Sequence, residues 1–220
     1  LDDFDLDGKT VLLRVDINCP IDPNTLEILD DTRIREHAQT ILELSERNAK
    51  TVVMAHQGRP GDSDFVSLNK HAALLSKILG KPVQFVEEVF GPTARNAIAK
   101  LQPGEILLLE NLRFCSEEVM EKPPEEQAKT FLVRKLSPLG SVYVNDAFAA
   151  AHRSQPSIVG FPMVMPSAAG RVFEKEVSVL TKVLDASSEP RIFILGGSKI
   201  SDSVNIIEKL LERNIAHKIL

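Results

Sequence analysis

The chain has 220 residues, 43% of them hydrophobic and 26% charged, and carries a formal net charge of −5. That length suits one large domain or one domain and part of another, with the balance of an ordinary globular fold. The acidic total argues against a general nucleic-acid surface, and no apolar run approaches the length of a membrane span.

Apolar, β-branched runs at 10–16, 51–56, 82–86, 105–110, 141–144 and 191–195 read as strands buried on both faces. Amphipathic segments alternate with them. Residues 31–48 place Ile34, Ala38, Ile41, Leu42 and Leu44 largely on one stripe. A second helix is expected over 68–79 and stops at Gly80; further helices are expected over 93–101 and 125–136. Prolines in 160–166 interrupt the pattern, and a strongly amphipathic helix runs from 168 to about 184. After residues 186–190 a fresh strand begins, then Gly196-Gly197-Ser198-Lys199, then a helix over 201–214.

The expected fold is therefore α/β. A mostly parallel, doubly wound, Rossmann-like sheet fills 1–166, and a connecting helix and hinge follows over 167–190. The first β-α-β step of a second, similar and incomplete domain occupies 191–220. Residues 215–220 read as entry into a strand, so a fragment or a partial chain is expected. Cys19 and Cys115 have neither CxxC nor metal-type spacing and read as free thiols.

In an open α/β sheet the carboxyl ends of the strands share one edge, and ligands bind there. Here the strands end in Arg14-Val15-Asp16-Ile17-Asn18, His56-Gln57-Gly58-Arg59, Glu110-Asn111-Leu112-Arg113 and Asn145-Asp146, the last leading on to His152-Arg153. That pattern gathers Arg59, Arg113, Arg153 and His56 on one rim, as a site for a small, multiply charged anion requires. Under a period of two, Arg14, Asp16 and Asn18 share a face, where Asp16 either pairs with Arg14 or joins Asn18 at a ligand. Arg33 stands in the first turn of a helix, where a cation opposes the dipole, and residues set against local preference are candidates for function. Each has a plainer reading: a structural histidine at 56, a Glu110 partner for Arg113, a loop cap at Arg153, a solvated Arg33. Jointly these readings are weak, because like charges at one edge repel unless an anion lies among them. Gly196-Gly197-Ser198-Lys199 between a strand and a helix could cradle an anion, although it is not a Walker A loop.

Read together, these segments resemble phosphoglycerate kinase. The matching pieces are Arg14–Pro20, Asp31-Thr32-Arg33-Ile34, His56–Pro60, Leu108–Phe114, Tyr143–Phe148 with Ala151-His152-Arg153, and Gly196–Asp202, in the family's order along the chain. The stretch 149–156 looks closest to archaeal members.

The resemblance implies the N-terminal domain of that kinase and the start of its C-terminal domain. It also implies a cytoplasmic glycolytic and gluconeogenic phosphotransferase. The substrates would be 3-phosphoglycerate or 1,3-bisphosphoglycerate with ADP or ATP, and Mg2+ would accompany the nucleotide. Neither nucleic acid nor membrane is an expected partner. By carry-over, Asp16, Ile17 and Asn18 would hold the glycerate hydroxyl region. Arg33, His56, Gln57, Gly58, Arg59, Arg113 and Arg153 would surround the carboxyl and phosphate ends. Gly196, Gly197, Ser198 and Lys199 would face the nucleotide, with Arg33 and Lys199 catalytic on opposite sides of the phosphoryl group. No metal ligand within the chain is implied. Gln57 replaces a usual leucine, Ala149 a usual glycine, and Ser203 a frequent second lysine. The family is about twice this length, so the alternative is a non-catalytic fragment that only binds 3-phosphoglycerate.

Overall fold

The structure, a computed structural model, describes residues 1–185, 191–195, 200–213 and 215–220. Its contacts divide the chain into two compact units, Leu1–Lys175 and Glu176–Leu220.

The first unit is built on six parallel strands: β1 (Thr10–Arg14), β2 (Lys50–Met54), β3 (Val83–Val86), β4 (Ile106–Leu109), β5 (Val142–Asn145) and β6 (Ser167–Ala169). Their order across the sheet is β3-β4-β2-β1-β5-β6. Consecutive residues of β1 explain the layering. Val11 and Leu13 enter one core cluster, with Ile34, Ile41 and Leu44 of α1 (Thr32–Glu46) and Ala72 and Leu75 of α2 (Asn69–Leu79). Leu12 enters the other, with Ala94 and Ile98 of α3 (Pro92–Lys100) and Leu132, Val133 and Leu136 of α5 (Phe131–Leu136). Side chains alternate across a strand, so a strand apolar at every position needs helices on both faces. Each such aliphatic residue contributes roughly 1.5–3 kcal/mol when buried. Covering both faces leaves the strand ends as the only free border of the central strands.

The sequence expectation differs from the structure in three places. First, the β1 ladder ends at Arg14, with only Val15 N–H to the Met54 carbonyl (3.0 Å) beyond it. The period-two face therefore does not extend to Asp16 and Asn18. Second, the helix expected over 125–136 is split into α4 (Pro124–Gln127) and α5. Thr130 is extended (φ −62, ψ 155), and Glu117 accepts the N–H groups of Phe131 (3.0 Å) and Leu132 (3.1 Å), which starts α5 afresh. Third, residues 167–169 form β6 rather than the start of a helix. Backbone bonds from Tyr143 N–H to Pro166 O and from Gly170 N–H to Asn145 O (both 2.9 Å) recruit them to the sheet. The amphipathic helix α6 (Arg171–Asp185) starts only afterwards.

In the second unit, β7 (Ile192–Phe193) and β8 (Lys218–Ile219) are parallel, and α7 (Ile200–Glu212) lies between them in the chain, a β-α-β step. The turn Gly196-Gly197-Ser198-Lys199 lies outside the described residues. Among the described residues no helix is long and apolar enough to cross a membrane.

Replacing Glu117 by Ala removes the acceptors that start α5. The expected loss is about 1 kcal/mol of stability, or roughly 2–4 °C in melting temperature, and Glu117→Gln should lose less. An unchanged melting temperature for Glu117→Ala would show that α5 does not need this cap.

Candidate functional site

The carboxyl ends of β1, β2, β4 and β5 lead directly into the segments that sequence singled out. Three side-chain amides hold those segments together. Asn111, beyond β4, accepts the N–H groups of Gln57 (3.2 Å) and Arg113 (3.1 Å) and donates to the carbonyls of Gln57 (2.8 Å) and Val66 (2.9 Å). Gln57, beyond β2, accepts the N–H of Cys19 (2.8 Å) and donates to the Cys19 carbonyl (2.9 Å). Asn18 accepts the N–H of Gly58 at 3.0 Å. Irregular backbone thus finds the partners it would otherwise lack. Gly58 has φ +64, and a Cβ there would lie 2.5 Å from the Asp64 carbonyl oxygen, so only glycine fits this tight turn.

Five guanidinium groups reach this edge. Arg14 has no solvent exposure. Its Nε donates to Ser157 Oγ (2.9 Å), its Nη2 to His56 Nδ1 (2.7 Å), and its Nη1 to the Val15 carbonyl. Ser157 passes the contact on. Its hydroxyl donates to the fully buried carboxylate of Glu118, which also accepts the Ser157 N–H at 3.1 Å. Burial raises the Glu118 pKa, and the charge of Arg14 opposes that rise. Arg33, half exposed on α1, pairs with Asp16 at 2.6 Å. Arg113 is buried and donates to the Gly58 carbonyl. Among the described residues, Arg59, Arg113 and Arg153 form no ion pair.

The consequences are electrostatic. Burial, reinforced by Arg153, Arg14 and Arg59, pushes the Arg113 pKa down to about 10. His56 is moved further. Burial, then Arg14, Arg113, Arg153 and Arg33, hold its pKa far below the ordinary histidine value. Because Nδ1 accepts from Arg14, the proton of this neutral ring sits on Nε2, which becomes a hydrogen-bond donor without charge. The rim is therefore a set of arginine charges around a neutral histidine.

The structure brings Arg33, Arg113 and Arg153 close enough for their charges to act on His56, and Arg59 and Arg153 close enough to act on Arg113. Asp16 does not pair with Arg14; the ladder stops before it and α1 offers Arg33 instead. Glu110 does not pair with Arg113. It accepts Ser67 Oγ (2.7 Å) and Leu68 N–H (3.0 Å) at the start of α2. The Ile17 side chain lies in the core, so only its main chain is available at the edge. Gly196, Gly197, Ser198 and Lys199 fall outside the described residues. Sequence reasoning passed over Arg14, Ser157 and Glu118 as a connected group. The available signal was a lone arginine closing an apolar strand, which obliges some distant acid to be buried with it.

Comparison with known proteins agrees with this geometry. The phosphoglycerate kinase family model matches residues 1–220. Phosphoglycerate kinases of Sulfurisphaera tokodaii and Methanothermobacter thermautotrophicus are 56% and 57% identical over the whole chain. The chain spans about half the length of these curated relatives, 53% and 54% respectively. The crystal structure of phosphoglycerate kinase from Pyrococcus horikoshii OT3 matches all of this chain with a TM-score of 0.96 at 44% identity, over 54% of its own length. A family model matched over all 220 residues, relatives more than half identical over the whole chain, and a solved backbone this similar mean that the chain belongs to the phosphoglycerate kinase family.

Proposed function

We propose that this chain supplies the phosphoglycerate-binding part of a cytoplasmic kinase. That kinase would transfer a phosphoryl group reversibly between 1,3-bisphosphoglycerate and ADP, giving 3-phosphoglycerate and ATP in glycolysis and gluconeogenesis. Residues 1–166 form the substrate domain in this reading, 167–190 the connecting helix and hinge, and 191–220 the start of the nucleotide domain. One observation carries it: Arg113 and Arg153, without an ion pair among the described residues, act on a neutral histidine donor at the carboxyl edge of a parallel sheet, and Arg59 acts on Arg113.

The chemistry asked of these residues is positioning and neutralisation. Arg59, Arg113 and Arg153 would grip the carboxylate and phosphate of phosphoglycerate, each charge-assisted bond contributing roughly 1.5–3 kcal/mol. His56 Nε2–H would donate to a ligand oxygen. Asn18, whose Oδ1 is held by Gly58, would turn its amide nitrogen toward the glycerate hydroxyl. Arg33, steadied by Asp16, would meet negative charge developing on the phosphoryl group, with Lys199 approaching from the nucleotide side. The family reading implies Mg2+ with ADP or ATP. Among the described residues no three His, Cys, Asp or Glu side chains lie together as metal ligands. The half-length match favours a second reading for the isolated chain: it binds 3-phosphoglycerate but does not turn over.

Calorimetry with 3-phosphoglycerate, beside an assay for ATP formation, separates these readings. The isolated chain should bind without turnover and the complete natural polypeptide should do both. No binding by either would end the proposal. Arg113→Ala should weaken binding about ten- to hundredfold, read as a change in Kd. Arg33→Ala in the complete polypeptide should lower kcat far more than it raises KM, and a near-normal kcat would remove Arg33 from the chemistry. Because His56 stays neutral, it gives up no charge as pH rises, and Kd should stay flat between pH 7 and 8.5. A cationic His56 would instead make binding weaken as pH rises through its pKa, and His56→Gln, which keeps a donor, would abolish that slope.

A further inference from the structure

Asp146 has no solvent exposure and follows directly on β5. Its Oδ1 accepts the N–H groups of Val172 (2.8 Å) and Phe173 (3.2 Å), in the first turn of α6. Its Oδ2 meets His37 Nδ1 at 2.9 Å. His37 is buried on α1, and its Nε2 accepts the Asp16 N–H at 3.3 Å. An acceptor at Nε2 places the ring proton on Nδ1, where Asp146 takes it, so both contacts are satisfied by one tautomer. Asp16 in turn holds Arg33 through Oδ2 at 2.6 Å. An unbroken chain of polar contacts therefore runs from the start of α6 through the buried Asp146, His37 and Asp16 to the half-exposed Arg33.

The helix end is seated closely. Gly170 lies against Asp146, and a Cβ there would collide with the carboxylate. Thr40 Oγ of α1 accepts the Arg171 N–H at 3.1 Å, and the Arg171 guanidinium meets both oxygens of Glu43, also on α1, at 2.7 Å. The face of α1 that buries His37 is thus the face that receives α6. No other described side chain joins Asp146 to the Asp16 main chain.

We propose that His37 is a positioning residue. It fixes Asp16, and through it Arg33, relative to the first turn of α6, so that a displacement of that helix end shifts the guanidinium that works on the ligand. This rests on the phosphoglycerate reading above. His37 touches no ligand; its two ring nitrogens join a helix-capping carboxylate to the segment that carries Asp16 and Asn18. A purely space-filling role would need neither hydrogen bond. The chain of contacts also runs both ways. A ligand that draws Arg33 and Asp16 inward pulls on His37 and Asp146, and therefore on the cap of α6.

The test is a double-mutant cycle on kcat in the complete natural polypeptide, with melting temperature measured alongside. His37→Asn keeps a donor for Asp146 and loses the acceptor for Asp16. In the native background it should lower kcat about tenfold with little change in KM, since small misplacement of a working group is costly. In an Arg33→Ala background the same substitution should change kcat less than about twofold, because its target is gone. His37→Gln, which keeps an acceptor for the Asp16 N–H, should recover part of the loss, and it serves as the probe if His37→Asn does not fold. Equal effects of His37 substitution with and without Arg33, or no effect on kcat at all, would overturn the proposal while 3-phosphoglycerate binding stays intact. Failure of the unsubstituted polypeptide to bind 3-phosphoglycerate would overturn the parent reading, and this one with it.

Discussion

A guanidinium with no access to water closes the central strand, and much of the site follows from the need to satisfy it. Arg14 cannot shed its charge, so it must find partners inside the fold. Ser157 and Glu118 answer that need on one side, and His56 on the other. The acid balances the cation through a hydroxyl, and the histidine is fixed in one tautomer. A charge buried for structural reasons thus presets the chemistry of a residue at the ligand edge. Removing Glu118 would leave Arg14 uncompensated in a low-dielectric setting, the situation in which broken buried pairs are most destabilising.

Much of the architecture could be read before any coordinates, because its signals are local. Runs such as Ile106–Leu109 are apolar at every position, which only a doubly covered strand tolerates. The stripe on α1 and the alternation of strands with helices then fix a parallel sheet and its ligand edge. The misses come where long-range partners overrule local preference. Ser167-Ala168-Ala169 has ordinary helical composition, yet the exposed edge of β5 offers backbone bonds that a helix start cannot match. Residues 128–130 continue an amphipathic pattern, but a carboxylate 14 residues upstream in the chain restarts the helix at Phe131.

The site shows the same division. Its arginines were legible as residue types placed after strands. Their pairing was not, since Asp16 and Arg14 are neighbours in sequence while their partners come from α1 and from Ser157. The sequence placed His56 on the rim without fixing its protonation; its reading as a neutral donor depends on Arg14 lying 2.7 Å from Nδ1. Spacing along a chain identifies who attends the edge; only packing decides who holds whom.

The amide clamps of Asn111, Gln57 and Asn18 have a kinetic meaning. Loops that are already tied to one another lose little freedom when a guest arrives, so their ordering is met once, during folding, rather than at every encounter. Capture of a small anion would then be governed by its diffusion into a positive field, and departure by how quickly a few guanidinium contacts loosen, without waiting for a flap to reorganise.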